Sequence, residues 1–438
     1  MVSFLSRLNS YLILSGLLAM LIGCSSTSKD EGLSLPRDAG GDKVKLKIFT
    51  QYTIDVDEKQ PHDYAYARVK KLMPNVDLDI DVQPQDDSNK LKIYAASGNL
   101  PDIIQVTQGI VDLLRLSGNL LVLDDYVRQT RIEDRIIPNY RGLLWADDGH
   151  SYAVPRTAPS THLLYYNKEL FQRNGIQVPK DYRKFIGIVK TFKAKGIIPL
   201  ALFAKESWPG VMLYEDFVTR YDPQGLMKLS QGKGSITEEA YKKAAKQLEE
   251  SINAGLLPNS AFTTDYDTAF NEFTNGKAAM FINGSWALGP LSDKMGEKVD
   301  FMDFPFADAE AVQDTAMNRP GGGFDGGYSV SANTKYKDIA GRFTCLFALE
   351  IANGRVVKAG MPNPLTTDGV VPEKGYSAMS IKYIQQSKNF NSTTVFPWAL
   401  NSKLAVIMGD STAKLLTGGY SADRFIEDSD KAIKDALK

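Results

Sequence analysis

Cysteine and histidine are scarce in this chain of 438 residues, with two of the first and three of the second. So few exclude a disulfide framework and a thiolate-rich metal cluster. His62, His150 and His162 form no HxxxH or HExxH pair, so no histidine-based metal site is expected. Excess charge is missing too. Lys and Arg number 51 against 52 Asp and Glu, a formal charge of −1, without the basic surplus of a nucleic-acid binder. Past the amino-terminal segment no run reaches 18 apolar residues, so no later span is predicted. A Gly-x-Ser-x-Gly elbow and a P-loop are absent, and no repeat of 20–50 residues suggests a solenoid or propeller. Gly321-Gly322-Gly323-Phe324-Asp325-Gly326 satisfies GxGxxG in form only. Asn318-Arg319-Pro320 precedes it and no helix opens directly after it, whereas a dinucleotide site needs a strand before and a helix after. No cofactor is expected. What remains, 43% hydrophobic and 24% charged residues, is an ordinary globular composition, long enough for two or three domains or two large lobes.

The chain opens with an address. Arg7 precedes residues 11–22, which carry no charge: the length of a signal-peptide apolar region, and short for a span. Leu21-Ile22-Gly23-Cys24, followed by Ser25-Ser26, resembles the lipobox of bacterial lipoproteins. The resemblance implies a signal peptide of residues 1–23 and an acylated Cys24 as the first mature residue. Residues 24–43, rich in Ser, Gly and charge, read as a flexible tether from that anchor. The expected location is outside the cytoplasmic membrane and attached to it. Cys345 then stands alone. Phe343, Leu346 and Phe347 surround it at helical spacing, which predicts a buried structural thiol.

Val44, Leu46 and Ile48 alternate with lysines, and Val76, Leu78, Ile80 and Val82 with aspartates; both read as strands with one buried face. Between them Asp63 can cap a helix through Tyr66, Val69 and Leu72, ended by Pro74. This is a βαβ unit. A short helix, a turn at 98–101 and a strand at 102–106 continue it. Later, Ser235-Ile236-Thr237-Glu238 forms a capping box before a helix that Gly255 stops. Residues 278–282 fit a buried strand, and 338–353 and 422–437 fit amphipathic helices. The class is α/β.

Several stretches resemble the extracellular solute-binding proteins of carbohydrate ABC transporters, the maltose-binding-protein-like group. They include Leu100-Pro101-Asp102-Ile103-Ile104, Tyr152-Ala153-Val154-Pro155, Tyr165-Tyr166-Asn167-Lys168-Glu169-Leu170-Phe171, and Gly276 through Ile282 with Asn283-Gly284-Ser285-Trp286. Residues 321–331 resemble the Gly-rich return crossing, and 408–425 the closing helical segment. The resemblance covers residues 44–438. It implies a periplasmic-binding-protein-like fold of two α/β lobes joined by three hinge crossings, with a ligand cleft between them. Lobe 1 would hold residues 44–153 and 324–370, and lobe 2 residues 154–323 and 371–438. It also implies a non-enzymatic, monomeric importer subunit that binds a carbohydrate and delivers it to membrane permease subunits. An exported glycoside hydrolase or lyase, and a binder of some non-sugar solute, are the alternatives.

Sugars need flat apolar platforms for their CH faces and convergent polar groups for their hydroxyls. By the family pattern Trp286, just past the strand at 278–282, is such a platform. Glu206 and Trp208 stand where the family supplies a carboxylate and an aromatic. Trp398 and Phe396 bracket Pro397 before a helical segment. Tyr52, Gln105 and Gln108 follow strands, where α/β sheets place ligands. Phe324 and Asp325 sit in the glycine loop, with Asp325 a hydroxyl acceptor, and Arg156 is a long donor near the first crossing. Maltose-binding relatives carry an aromatic and acidic pair where residues 106–109 stand here, so maltodextrin specificity does not follow.

Overall fold

The computed structural model describes residues 42–53, 58–136, 141–142, 144–157, 160–308, 315, 317–322, 327–361, 369–390 and 396–436. Cys24, the signal segment, most of the tether, Phe324 and Asp325 lie outside the described residues.

Two four-stranded sheets organise the chain. The first holds β1 (Val44–Thr50), β2 (Val76–Val82), β3 (Ile103–Val106) and β8 (Gly327–Val330) in the order β2-β1-β3-β8. Alternation puts Leu46, Ile48 and Val76 in the core while the lysines and aspartates between them face out. β1 pairs in parallel with β2 (Val44 opposite Val76) and with β3 (Ile48 opposite Ile103); β8 joins β3 antiparallel. Helices α1 (Gln60–Leu72), α2 (Asn89–Ala96) and α3 (Gln108–Leu116) follow β1, β2 and β3 in turn. The second sheet holds β4 (His162–Asn167), β5 (Ile198–Ala201), β6 (Ala278–Gly284) and β7 (Val299–Met302), ordered β5-β6-β4-β7. Its helices include α4 (Tyr182–Ala194), α5 (Trp208–Val218), α6 (Glu239–Asn253) and α7 (Tyr266–Thr274). Aromatics fill that core, with Phe217 stacked on Phe306 at 4.1 Å between ring centres.

The chain leaves the first sheet after β3 and returns to it between β7 and β8. Isolated bridges, Val154 to Tyr328 and Thr161 to Gly321, lay these two passages side by side. The long helix α8 (Lys337–Ala359) packs on α1. Beyond it, α9 (Ala378–Ser387), α10 (Ser402–Leu416) and α11 (Ala422–Ala436) return to the second half, α10 against α5 and α11 against α6. That makes a third passage, and the two-lobed α/β architecture expected from the sequence is present.

The strands and the helices at 239–253 and 422–436 fall where periodicity places them. The expected buried face of β2 is not formed: at the edge of its sheet only Val76 is buried, Leu78 is half-buried, and Ile80 and Val82 are exposed. The Asp63 cap does not form either. Helix α1 starts at Gln60 with Pro61 in its first turn, because a proline there gives up no hydrogen bond, and Asp63 lies inside the helix, accepting the Tyr52 hydroxyl at 2.5 Å. The capping box is half formed. Glu238 accepts from the Ser235 amide at 2.9 Å, while the Ser235 hydroxyl takes the Thr237 amide. Cys345 is buried in α8, and burial pushes its thiol up to about 12, as a structural thiol should behave.

Candidate ligand-binding site

The carboxyl ends of strands from both sheets converge on one cavity of about 380 Å³. Gln51 after β1, Gln83 after β2, Gln105 at the end of β3, Glu206 after β5 and Trp286 after β6 all line it. Parallel strands that end together leave backbone and side chains converging on a shared crevice, which explains the location.

Four of the aromatic candidates meet here. Phe396 stacks on Trp398 at 4.4 Å with the planes 2° apart. Trp208 meets Trp398 edge-on at 5.1 Å, and Trp286 lies 5.9 Å from Trp208 and 5.3 Å from Phe396. Local structure sets each ring. Asn283 Oδ1 accepts from the Gly284 amide at 2.8 Å, turning the chain out of β6. The Trp286 indole then folds back over Gly284, where a Cβ would come within 2.1 Å of the ring, so only glycine admits it there. Trp286 and Trp208 rest one side on the second-sheet core and remain half-buried. The indole nitrogen of Trp398 is buried without a hydrogen-bond partner among the described residues.

Glu206 accepts from Trp208 Nε1 at 2.6 Å. Burial, opposed by that bond and reinforced by Asp87 and Asp86, pushes its carboxyl up to about 7. A raised carboxyl stabilises the fold fully below its unfolded pKa near 4.5, and the contribution is lost as pH rises to about 7. His62 slopes the other way over part of this window, since burial pulls it down to about 4. The expectation is therefore a difference: wild type minus Glu206→Gln should lose stability from pH 4.5 to 7, measured by denaturant unfolding at each pH. Parallel pH curves for the two proteins would contradict the buried carboxyl.

The same cavity has a buried polar floor. Glu58 holds two guanidiniums, Arg355 Nη2 at 2.6 Å and Arg156 Nη1 at 3.1 Å, and all three residues line the cavity. His62 Nδ1 faces the Glu58 carbonyl at 2.6 Å, where only a donor fits, so Nε2 of the neutral ring accepts, 2.5 Å from the Tyr328 hydroxyl. Thr50 spends its hydroxyl proton on Gln105 Oε1 at 2.7 Å. The Gln105 amide is thereby oriented, with its Nε2 toward Gln51.

The structure thus gathers Trp286, Trp208, Trp398, Glu206, Gln105 and Arg156 around one cavity. Tyr52 and Gln108 stand outside its lining, Tyr52 bonded to Asp63 and Gln108 opening α3. Asp102 ties strands together, accepting from the Lys47 amide and the Thr334 hydroxyl. Lining residues absent from the sequence reading include Gln83, Gln85, Asp86, Asp87, Glu58 and Arg355. The polar run directly after β2 was the available signal for the first four. Among the described residues no group of three or more His, Cys, Asp or Glu side chains could hold a metal ion.

A model of the bacterial extracellular solute-binding proteins matches residues 67–353. The multiple sugar-binding protein of Streptococcus mutans is 24% identical over 348 residues, 75% of each chain. A probable sugar-binding periplasmic protein of Mesorhizobium japonicum is 24% identical over 361 residues, 79% of this chain and 82% of its own. A solved structure from work on xylan utilization by the thermophile Caldanaerobius polysaccharolyticus superposes with a TM-score of 0.78. It is 25% identical, covering 89% of this chain and 99% of that one.

Proposed function

We propose, from the premise that this chain belongs to the bacterial extracellular solute-binding proteins, that its cavity takes a neutral sugar or oligosaccharide for an ABC importer. The protein binds its solute without transforming it. One observation carries the choice of sugar: Trp208, Trp286, Phe396 and Trp398 meet in a single aromatic cluster that lines the cavity. Flat apolar rings match the CH faces of pyranoses. Glu206, Gln105, Arg156 and the Trp398 indole N–H, which has no partner among the described residues, supply donors and acceptors for hydroxyls. Phe324 and Asp325 belong to the same proposal as contacts from the glycine loop. Lobe boundaries at 153/154, 323/324 and 370/371 belong to the same proposal. The protein acts as a monomer, and permease subunits read the closed form.

A thermal-unfolding screen against mono- and oligosaccharides tests this. A sugar at ~100 times its Kd adds about 2.7 kcal/mol of stability, a readily measured rise in Tm. Stabilisation by peptides or polyamines, with no sugar effective, would overturn the assignment.

Attachment is the second part. Among the described residues no helix is long and apolar enough to cross a membrane, and Cys24 in its lipobox-like setting supplies the anchor. A single acyl chain binds membranes only marginally, so stable attachment takes a second chain or another membrane-binding signal. Cys24→Ser should release the protein from membranes with ligand affinity unchanged, since the tether separates the two functions. Retention of that variant after a high-salt wash would refute lipidation.

A further inference from the structure

Between β2 and α2 the chain runs Gln83-Pro84-Gln85-Asp86-Asp87-Ser88. Two of these side chains leave the first sheet's side and end on helices of the second. Gln85 Oε1 accepts from the Tyr266 amide at 3.2 Å, at the start of α7. Asp87 Oδ2 accepts from the Ser207 amide at 3.3 Å, immediately before α5. Amides at helix starts have no partner within their own helix, and the Ser207 hydroxyl makes no capping bond. The acceptors therefore come from across the cleft. The backbone is bent to deliver them: Asp87 and Ser88 have φ of 51° and 63°, consecutive left-handed residues that are not glycine. Such conformations persist where surrounding structure enforces them, and they concentrate at clamps and switches.

Both bonds end on cavity machinery. Ser207 sits between Glu206 and Trp208, and Tyr266, whose ring packs on Phe203 at 5.2 Å, lines the cavity itself. We infer that Gln85 and Asp87 form a strap across the cleft, positioning residues that hold the Glu206–Trp208 turn and Tyr266 against the first-sheet half of the site. What the strap serves rests on the solute-binding reading; whether it exists can be measured without any solute.

The charges around the strap give an independent handle. Asp86 and Asp87 press on Glu206, with Lys205 opposing them, and Lys92 also lines the cavity. Asp87→Asn deletes one charge, keeps a side-chain oxygen as acceptor and tolerates a left-handed backbone. Gln85→Ala with Asp87→Ala deletes both acceptors.

The test uses the full mature chain without ligand. Amide hydrogen exchange over residues 204–210 and 264–269 should be at least about tenfold faster in the double alanine variant, and its radius of gyration by small-angle scattering should increase. Tm should fall only slightly, because Asp87 is exposed and Gln85 only half-buried, and substitutions outside the core contribute little to stability. Asp87→Asn should keep the exchange protection while the pH midpoint of Glu206, followed by the fluorescence of its partner Trp208, moves lower. Only a carboxylate held close to Glu206, as the bond to Ser207 holds Asp87, would move that midpoint. Unchanged exchange and scattering in the double variant, or an unmoved midpoint in Asp87→Asn, overturns the strap. Absence of carbohydrate binding would overturn the functional reading and leave these measurements standing.

Discussion

Trp286→Ala should weaken binding of the sugar chosen by the unfolding screen by about 30-fold or more. The indole sits centrally, within 6.2 Å of Trp208, Phe396 and Trp398, lines the cavity and is only partly buried. A rigid aromatic at the centre of a recognition surface loses few rotors on binding, and removing one costs about 2 kcal/mol or more. Because the ring also packs on the second-sheet core, some fold stability goes with it, less than the roughly 3–5 kcal/mol typical of a fully buried aromatic. Affinity and Tm measured on the same protein separate the two effects. Trp286→Phe should keep part of both. Gly284→Ala offers a second route to the same end: its methyl would come within 2.1 Å of the indole and displace the ring without deleting it. A folded Trp286→Ala protein with unchanged affinity would refute the platform.

The aromatic half of the site was legible in sequence because tryptophan is rare and strand ends are easy to read. Trp286 follows an apolar run, and Trp208 and Trp398 sit beside prolines that interrupt periodicity. The polar floor was legible only in part: Arg156 and Gln105 stood out beside a crossing and a strand end, whereas Glu58 and Arg355 did not. Glu58 precedes α1, Arg156 lies in a crossing and Arg355 rides on a 23-residue helix. Nothing in periodicity says that three charges 297 residues apart at the extremes will share one buried spot. A buried ion network is a product of topology: the crossing pairs with Tyr328 of β8, and α8 packs on α1 and β8. The Gln83–Ser88 run failed for a milder reason: composition marks it as a turn, and only the partner helices show what its side chains reach.

Glu58→Gln carries the other large effect, on stability. Glu58, Arg156 and Arg355 are 2%, 6% and 4% exposed. Burial alone would lift the Glu58 carboxyl, yet Arg156 and then Arg355 outweigh it and hold the carboxyl below its ordinary value. The amide keeps the shape and removes the charge, so two buried guanidiniums lose the carboxylate they share. Breaking a buried ion pair from one side costs about 3–5 kcal/mol, chiefly because the remaining charge stays desolvated. Adding Arg156→Met to Glu58→Gln should return part of that loss, since Glu58 is the only described partner of Arg156. The coupling in such a cycle should reach about 1–3 kcal/mol. The pH dependence follows from the same groups. A depressed carboxyl stabilises above its unfolded pKa near 4.5, and the contribution is lost as pH falls through the lower folded value. His62, held neutral down to about 4, withdraws stability already between pH 6.5 and 4, because the unfolded ring takes up its proton first. Acid should therefore open this floor in two stages, histidine before glutamate, and Glu58→Gln should abolish the second stage. Equal denaturant midpoints for wild type and Glu58→Gln at pH 7 would show that the three charges are solvated and that the floor braces nothing.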